Sequence, residues 1–119
     1  MNEMIRVLRV RPGDEEPMLI EIQNRLEEFQ NMVGGHIEAV KPFKDSVYLI
    51  VNEEGKLWRL PITRLLTSSE DITDILDALV GCVLIVGEDG EDFGSLTDEQ
   101  IEKYTKVFSS FYIKADGWT

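Results

Sequence analysis

The stretch "SSEDITDILDALVGCVLIV", Ser68 to Val86, decides the fold, because its first half carries two incompatible patterns. Ser68-x-x-Asp71 resembles a capping box with Asp in place of Glu, the arrangement that satisfies free amides at a helix start. Ile72, Ile75, Leu76 and Leu79 follow at i, i+3, i+4 and i+7, so the spacing predicts a helix that stops at Gly81. A strand is the rival, because the segment is short and rich in β-branched residues. The choice sets the helix count at two or three. Cys82 to Val86 (CVLIV) is continuously apolar and reads as a buried strand.

Upstream, Met4 to Val10 alternates in part and is β-branched, so it reads as a strand. "RPGDEE" is a turn, and Met18 to Ile22 returns as the second arm of a hairpin. Asn24 is the expected cap of a helix over Arg25 to Val33, with Leu26, Phe29 and Val33 on its apolar face. Glu27 and Glu28 suit the positive end of that helix. His36 to Val40 reads as a strand, and Val47 to Val51 (VYLIV) as a central one. "NEEG", Asn52 to Gly55, reads as a hairpin turn into a strand over Lys56 to Leu60, which Pro61 ends. Downstream, "GEDGEDFG" is a loop, and Thr97-x-x-Gln100 is a clear capping box opening a helix to about Phe108. Ile101, Tyr104 and Phe108 form its apolar face. Phe111 to Ile113 adds a strand, and Ala115 to Thr119 is expected to fray. The order β-β-α-β-β-β-α-β-α predicts one α+β domain over residues 1–119, ordered from about 4 to 113, with a mostly antiparallel sheet.

At 119 residues with a 43% apolar share, the chain is long enough for a modest core. The formal net charge is −11, and its placement is uneven. Leu65 to Glu102 holds eleven acidic residues and no Lys or Arg, while the rest carries twelve of each sign. Such a segment repels phosphate backbones, which argues against direct nucleic-acid binding, and attracts basic protein surfaces. The same charge also simply keeps a domain soluble. No apolar run approaches the ~20 residues of a membrane span, and no signal peptide is expected. A single cysteine, Cys82, excludes an internal disulfide. A cytoplasmic location follows as the expectation.

Candidate sites are few. Gly34-Gly35 follows a helix rather than preceding one, so carbonyls and not amides point at the pair. That favours a left-handed C-cap, with close backbone packing, over a phosphate cradle. His36 is the only histidine. General-base work would need a partner such as Glu38, and with Arg59 these two could frame a small-ligand pocket. "EDGEDFGSLTDEQ" evokes a calcium loop, but Phe93 and Gln100 stand where ligands are required. Cys82 lies in an apolar run and reads as inert. No metal, cofactor, nucleophile elbow or P-loop is indicated. In "GKLWRLPITRLL", Trp58, Arg59 and Arg64 are residue types common at binding hot spots.

Four stretches resemble a domain-of-unknown-function family: "LEEFQNMVGGHIEAVKPF", "VYLIVNEEGKLWRLPITRLL", "LIVG" and "DFGSLTDEQIEKYTKVF". Val33-Gly34-Gly35 with Ile37-Glu38, and Asn52-Glu53-Glu54-Gly55, are the most distinctive marks. The resemblance implies a setting in phages, plasmids and conjugative elements of Gram-positive bacteria, and it transfers no catalytic residue. The expectation is therefore a non-enzymatic acidic accessory protein that binds, and inhibits, a host defence protein. Its contact surface would be Glu88, Asp89, Glu91 and Asp92, aided by Trp58 and Arg59. The alternative is a module for a small ligand or nucleotide signal, through His36, Glu38 and Arg59. A homodimer through flat apolar sheet edges stays open.

Overall fold

The computed structural model describes residues 3–117. The elements are β1 (Met4–Val10), β2 (Met18–Gln23), α1 (Leu26–Val33), β3 (Ile37–Val40), β4 (Val47–Asn52), β5 (Ile62–Ser68), β6 (Ile75–Val80), β7 (Val83–Asp89), β8 (Asp92–Gly94), α2 (Asp98–Val107) and β9 (Tyr112–Ala115). The fold is α+β, with mostly antiparallel pairing and two helices. The main sheet runs β2-β1-β7-β4-β3, with β8 also on β7, and a smaller sheet runs β6-β5-β9. Only β5 and β9 pair in parallel among the described strands.

The central strands read as continuous apolar runs because both faces of the main sheet are covered. Ile5, Val7, Ile50, Leu84 and Val86 face α1, where Phe29 and Val33 close that side. Leu8, Val10, Val47, Leu49, Val51, Val83 and Ile85 face the other way. There they meet Leu66, Leu79 and Ile113 of the small sheet, and Tyr104 and Phe108 at α2. Alternate residues of one strand therefore feed two separate cores.

The predicted helix over Ile72 to Leu79 is a turn at Ile72 to Asp74 followed by strand β6 from Ile75. Ser68 and Asp71 do cap free amides, but they cap a turn. Asp71 Oδ1 accepts from the Thr73 amide at 2.9 Å, and Ser68 Oγ accepts from the Glu70 amide at 3.2 Å. Helix-start chemistry and tight-turn chemistry are the same Asx and Ser hydrogen bonds, so the motif does not tell them apart. The turn returns the chain alongside β5, where Leu65 pairs with Ala78 and Leu66 with Asp77. Ile72, Ile75 and Leu76 stay exposed while Leu79 is buried, a division that a single helix face would not give.

The predicted strand over Lys56 to Leu60 is instead a compact turn. The Trp58 amide donates to the Glu54 carbonyl at 2.9 Å and the Leu60 amide to that of Gly55 at 3.0 Å, while Arg59 takes a left-handed φ of 55°. Pro61 does not end a strand but precedes one, β5, which the alternation before it obscured. Asn24 does not cap α1. Its Nδ2 donates to the Phe93 carbonyl at 2.7 Å, and Arg25 takes the cap position without a side-chain bond. The "GEDGEDFG" loop is a tight hairpin: Asp89 pairs with Asp92 around Gly90-Glu91, with positive φ at Gly90. The C-terminal segment is tied down as far as Gly117, whose amide donates to the Pro42 carbonyl at 2.8 Å. Trp118 and Thr119, also expected to fray, lie outside the described residues.

Candidate functional site

The two sequence marks around Gly34 and Asn52 meet in space. Helix α1 ends at Gly34 (φ 83°), whose amide returns to the Gln30 carbonyl at 2.8 Å, and the Gly35 amide reaches the same carbonyl at 3.1 Å. Asn52 is buried beneath this turn. Its Nδ2 donates to the Val33 carbonyl at 3.2 Å, and its Oδ1 accepts the Glu54 amide at 2.8 Å. The His36 carbonyl accepts the Glu53 amide at 2.8 Å. A buried amide side chain thus joins the end of α1 to the turn after β4, satisfying groups that would otherwise be orphaned.

Trp58 lies over this junction. A Cβ built on Gly35 would stand 3.1 Å from the indole and 3.0 Å from Asn52 Nδ2, so a side chain there would push the ring or the amide outward by a few tenths of an ångström. Beside the ring is an open groove of about 600 Å³, walled by Gln30, Asn31, His36, Glu54 and Trp58. Its electrostatics suit a cation. Helix α1 presents its carbonyl end here with no basic residue in its last turn, and Glu54 adds a carboxylate. The glycine pair is a helix terminator, as its position after the helix predicts, and an anion finds no ring of free amides there.

The proposed ligand set of His36, Glu38 and Arg59 is not assembled. His36 precedes β3 and walls the groove, whereas Glu38 lies within β3 and borders a separate cleft of about 60 Å³ with Lys56 and Asp77. Arg59 lies on the compact turn and walls neither. The turn replaces the strand that would have carried it alongside the other two.

The acidic quartet is divided. Glu88 is engaged: its Oε1 accepts from the Tyr48 hydroxyl at 2.9 Å and from Lys41 Nζ at 3.1 Å. The Tyr48 hydroxyl, then Lys41, hold its carboxyl below the ordinary value. Asp89, Glu91 and Asp92 are exposed at the hairpin tip, with no ion pair among the described residues. Trp58 does not aid this surface. It follows the Asn52 end of β4, whereas the Glu88 amide bonds Ser46, just before the Val47 end.

The other acids between Leu65 and Glu102 are scattered, and several are paired: Asp77 with Lys56, Asp98 with Arg6, Glu102 with Lys106. Arg64 is no surface hot spot, being 4% exposed and bound to backbone carbonyls. Cys82 is half-buried just ahead of β7, and burial pushes its thiol up, away from the reactive thiolate. Among the described residues, no three His, Cys, Asp or Glu side chains gather as a metal site. Reading the sequence marked Asn52 only as the start of a turn and passed over Gln30 and Asn31. The signal for Asn52 was its place at the end of an apolar strand, where a buried amide needs a partner.

Among the described residues, no helix is long and apolar enough to cross a membrane. Neither the curated proteins nor the solved structures contain a match to this chain. A family model, domain of unknown function (DUF3846), matches residues 5–109, the span from β1 to just past α2. With nearly the whole two-core domain inside that match, the chain belongs to the DUF3846 family.

Proposed function

We propose that this protein is a non-enzymatic interaction module of mobile-element type, acting in the cytoplasm on a basic surface of a host protein. The observation that carries this reading is the β7–β8 hairpin tip. Asp89, Glu91 and Asp92 are exposed there beyond the last β4–β7 pair, Val47 with Gly87. Carboxylates left unpaired at an exposed tip attract a basic partner and speed its approach at low salt. The net charge of −11 weighs against direct nucleic-acid binding. The test is affinity capture from host lysate at low and high salt, with D89N/E91Q/D92N as control. The reading requires a captured protein that is lost both at high salt and with the neutralised hairpin. Equal recovery by the neutralised variant overturns it.

A second reading, a small-ligand or nucleotide-signal module, rests on a cavity of about 410 Å³ between α1 and β8, where Arg25 and Asn24 stand beside Phe29 and Phe93. Glu3 and Asp92 share its wall and oppose an anion. A thermal-shift screen of nucleotides separates the readings, because a ligand that binds only the folded state raises the midpoint.

A further inference from the structure

We propose that the groove beside Trp58 seats a guanidinium group: an arginine side chain on a basic segment of a partner protein. The inference rests on the acidic-interaction reading above and adds to it a second contact, at the other end of β4.

Three features favour this occupant. The first is the ring. Trp58 is 49% exposed, yet its turn is fixed by the Trp58–Glu54 backbone bond and its indole rests on Gly35. A half-exposed indole on a hydrogen-bonded turn is available to a cation with little ordering cost.

The second is charge. Glu54 walls the groove, and no Lys or Arg does. Lys56, two residues on, is held by Asp77. The carbonyl end of α1 adds partial negative charge that no basic side chain in its last turn offsets.

The third is hydrogen bonding. Gln30 and Asn31 line the same wall, and each side-chain amide has an oxygen able to accept from a cationic donor, beside the Glu54 carboxylate. A guanidinium has five donors in one plane, stacks on indole and pairs with a carboxylate through two parallel bonds. An ammonium does neither, and a phosphate is repelled.

The test is an NMR titration of the isotope-labelled full chain with acetyl-Gly-Arg-Gly-amide. The same tripeptide with lysine, and with citrulline (the uncharged isostere of arginine), serves for comparison. W58F identifies the Trp58 indole resonance. The expected result is saturable shifts at the Trp58 indole and the Gly35 and Glu54 amides, with a dissociation constant on the order of millimolar. Lysine binds more weakly and citrulline gives no saturation. E54Q, which preserves the turn, weakens the arginine peptide by about fivefold or more at an unchanged melting temperature.

Absence of saturation by arginine, or equal binding of citrulline, overturns the proposal. So does AMP moving these resonances in preference to arginine, which would make the groove a nucleotide site. The hairpin acids are untouched by these probes. If the titration fails while D89N/E91Q/D92N still loses its salt-dependent partner, the groove inference falls alone. If the titration succeeds while that variant recovers its partner fully, the hairpin reading falls alone.

Discussion

Arg64 donates from both Nε and Nη2 to one acceptor, the carbonyl oxygen of Phe108, at 2.9 and 2.7 Å. Phe108 closes α2, so the guanidinium sits on the negative end of that helix dipole. Its remaining donors reach the Thr63 and Asp14 carbonyls, both at 2.7 Å. One buried arginine thereby ties together α2, β5 and the turn between β1 and β2. Burial lowers its pKa from the ordinary value, yet the backbone carbonyls keep the charged form satisfied without a carboxylate partner. R64L is expected to destabilise the domain by about 2–4 kcal/mol, because several carbonyls lose charged donors in a buried place. R64K should recover only part, since an ammonium lacks the fork. Urea denaturation midpoints measure both.

The strand assignment of β6 has its own test. Leu79 is 3% exposed and packs in the core beneath the small sheet, whereas Ile72 is 50% exposed. L79A should therefore cost about 2–4 kcal/mol, and I72A and L76A each less than about 1 kcal/mol. Comparable losses at all three positions would indicate one apolar helix face and contradict the strand.

Two glycines carry different constraints. Gly34 holds a left-handed φ with open space around it, so G34A pays only backbone strain, about 1–2 kcal/mol. Gly87 has no such φ, but a Cβ there would run into the Ser95 carbonyl, backbone that cannot swing aside. G87A should cost about 2–3 kcal/mol and disturb the β7–β8 hairpin. Amide exchange at Asp92 and Gly94, which lie opposite Asp89 and Gly87 in the hairpin, reports that disturbance, and G34A should leave it unchanged.

Acid sensitivity should centre on Asp45. Its carboxylate accepts from the Tyr104 hydroxyl at 2.7 Å, the Ser46 amide at 2.7 Å and Gln100 Nε2 at 3.2 Å. Burial pushes its carboxyl up, but these three bonds, with Lys103 nearby, outweigh burial and hold it below 3.8. A carboxyl depressed in the folded state contributes stability that is present above its unfolded value. That stability is lost as pH falls through the folded value. The gap between wild type and D45N, about 1–2 kcal/mol at pH 6, should thus close progressively below about pH 4. A gap that widens at acid pH would reverse the sign and contradict this account. Tyr104, raised by burial and by Asp45, stays protonated throughout.

Residues whose neighbours in the chain are also their physical partners were legible in the sequence. The Thr97–Gln100 capping box forms as written, with the Gln100 amide on Thr97 Oγ1 at 3.1 Å and Gln100 Oε1 accepting the Thr97 amide at 2.9 Å. The helix stop at Gly34, the hairpin of β1 and β2, and the apolar runs of β4 and β7 are equally local, set by dihedral limits and side-chain periodicity. The candidate site was legible only in pieces. His36 and Trp58 stood out by residue type, but Asn52, which joins the end of α1 to the Trp58 turn, acts across nineteen positions of sequence.

What the chain determined alone was composition, the uneven charge and those local elements whose signal has one reading: the Thr97–Gln100 cap, the helix stop at Gly34 and the β1–β2 hairpin. Tertiary structure decided the rest. Ser68 and Asp71 satisfy a turn as readily as a helix start, so Ile75 to Val80 became a strand only because β5 offered a paired edge. The same holds for charge. Eleven acids in one segment of sequence do not make one surface: folding pairs Asp77 with Lys56 and Glu88 with Lys41, and leaves Asp89, Glu91 and Asp92 exposed on a hairpin tip. Pairing across distant strands depends on which edges and cations are already in place, and no local pattern encodes that.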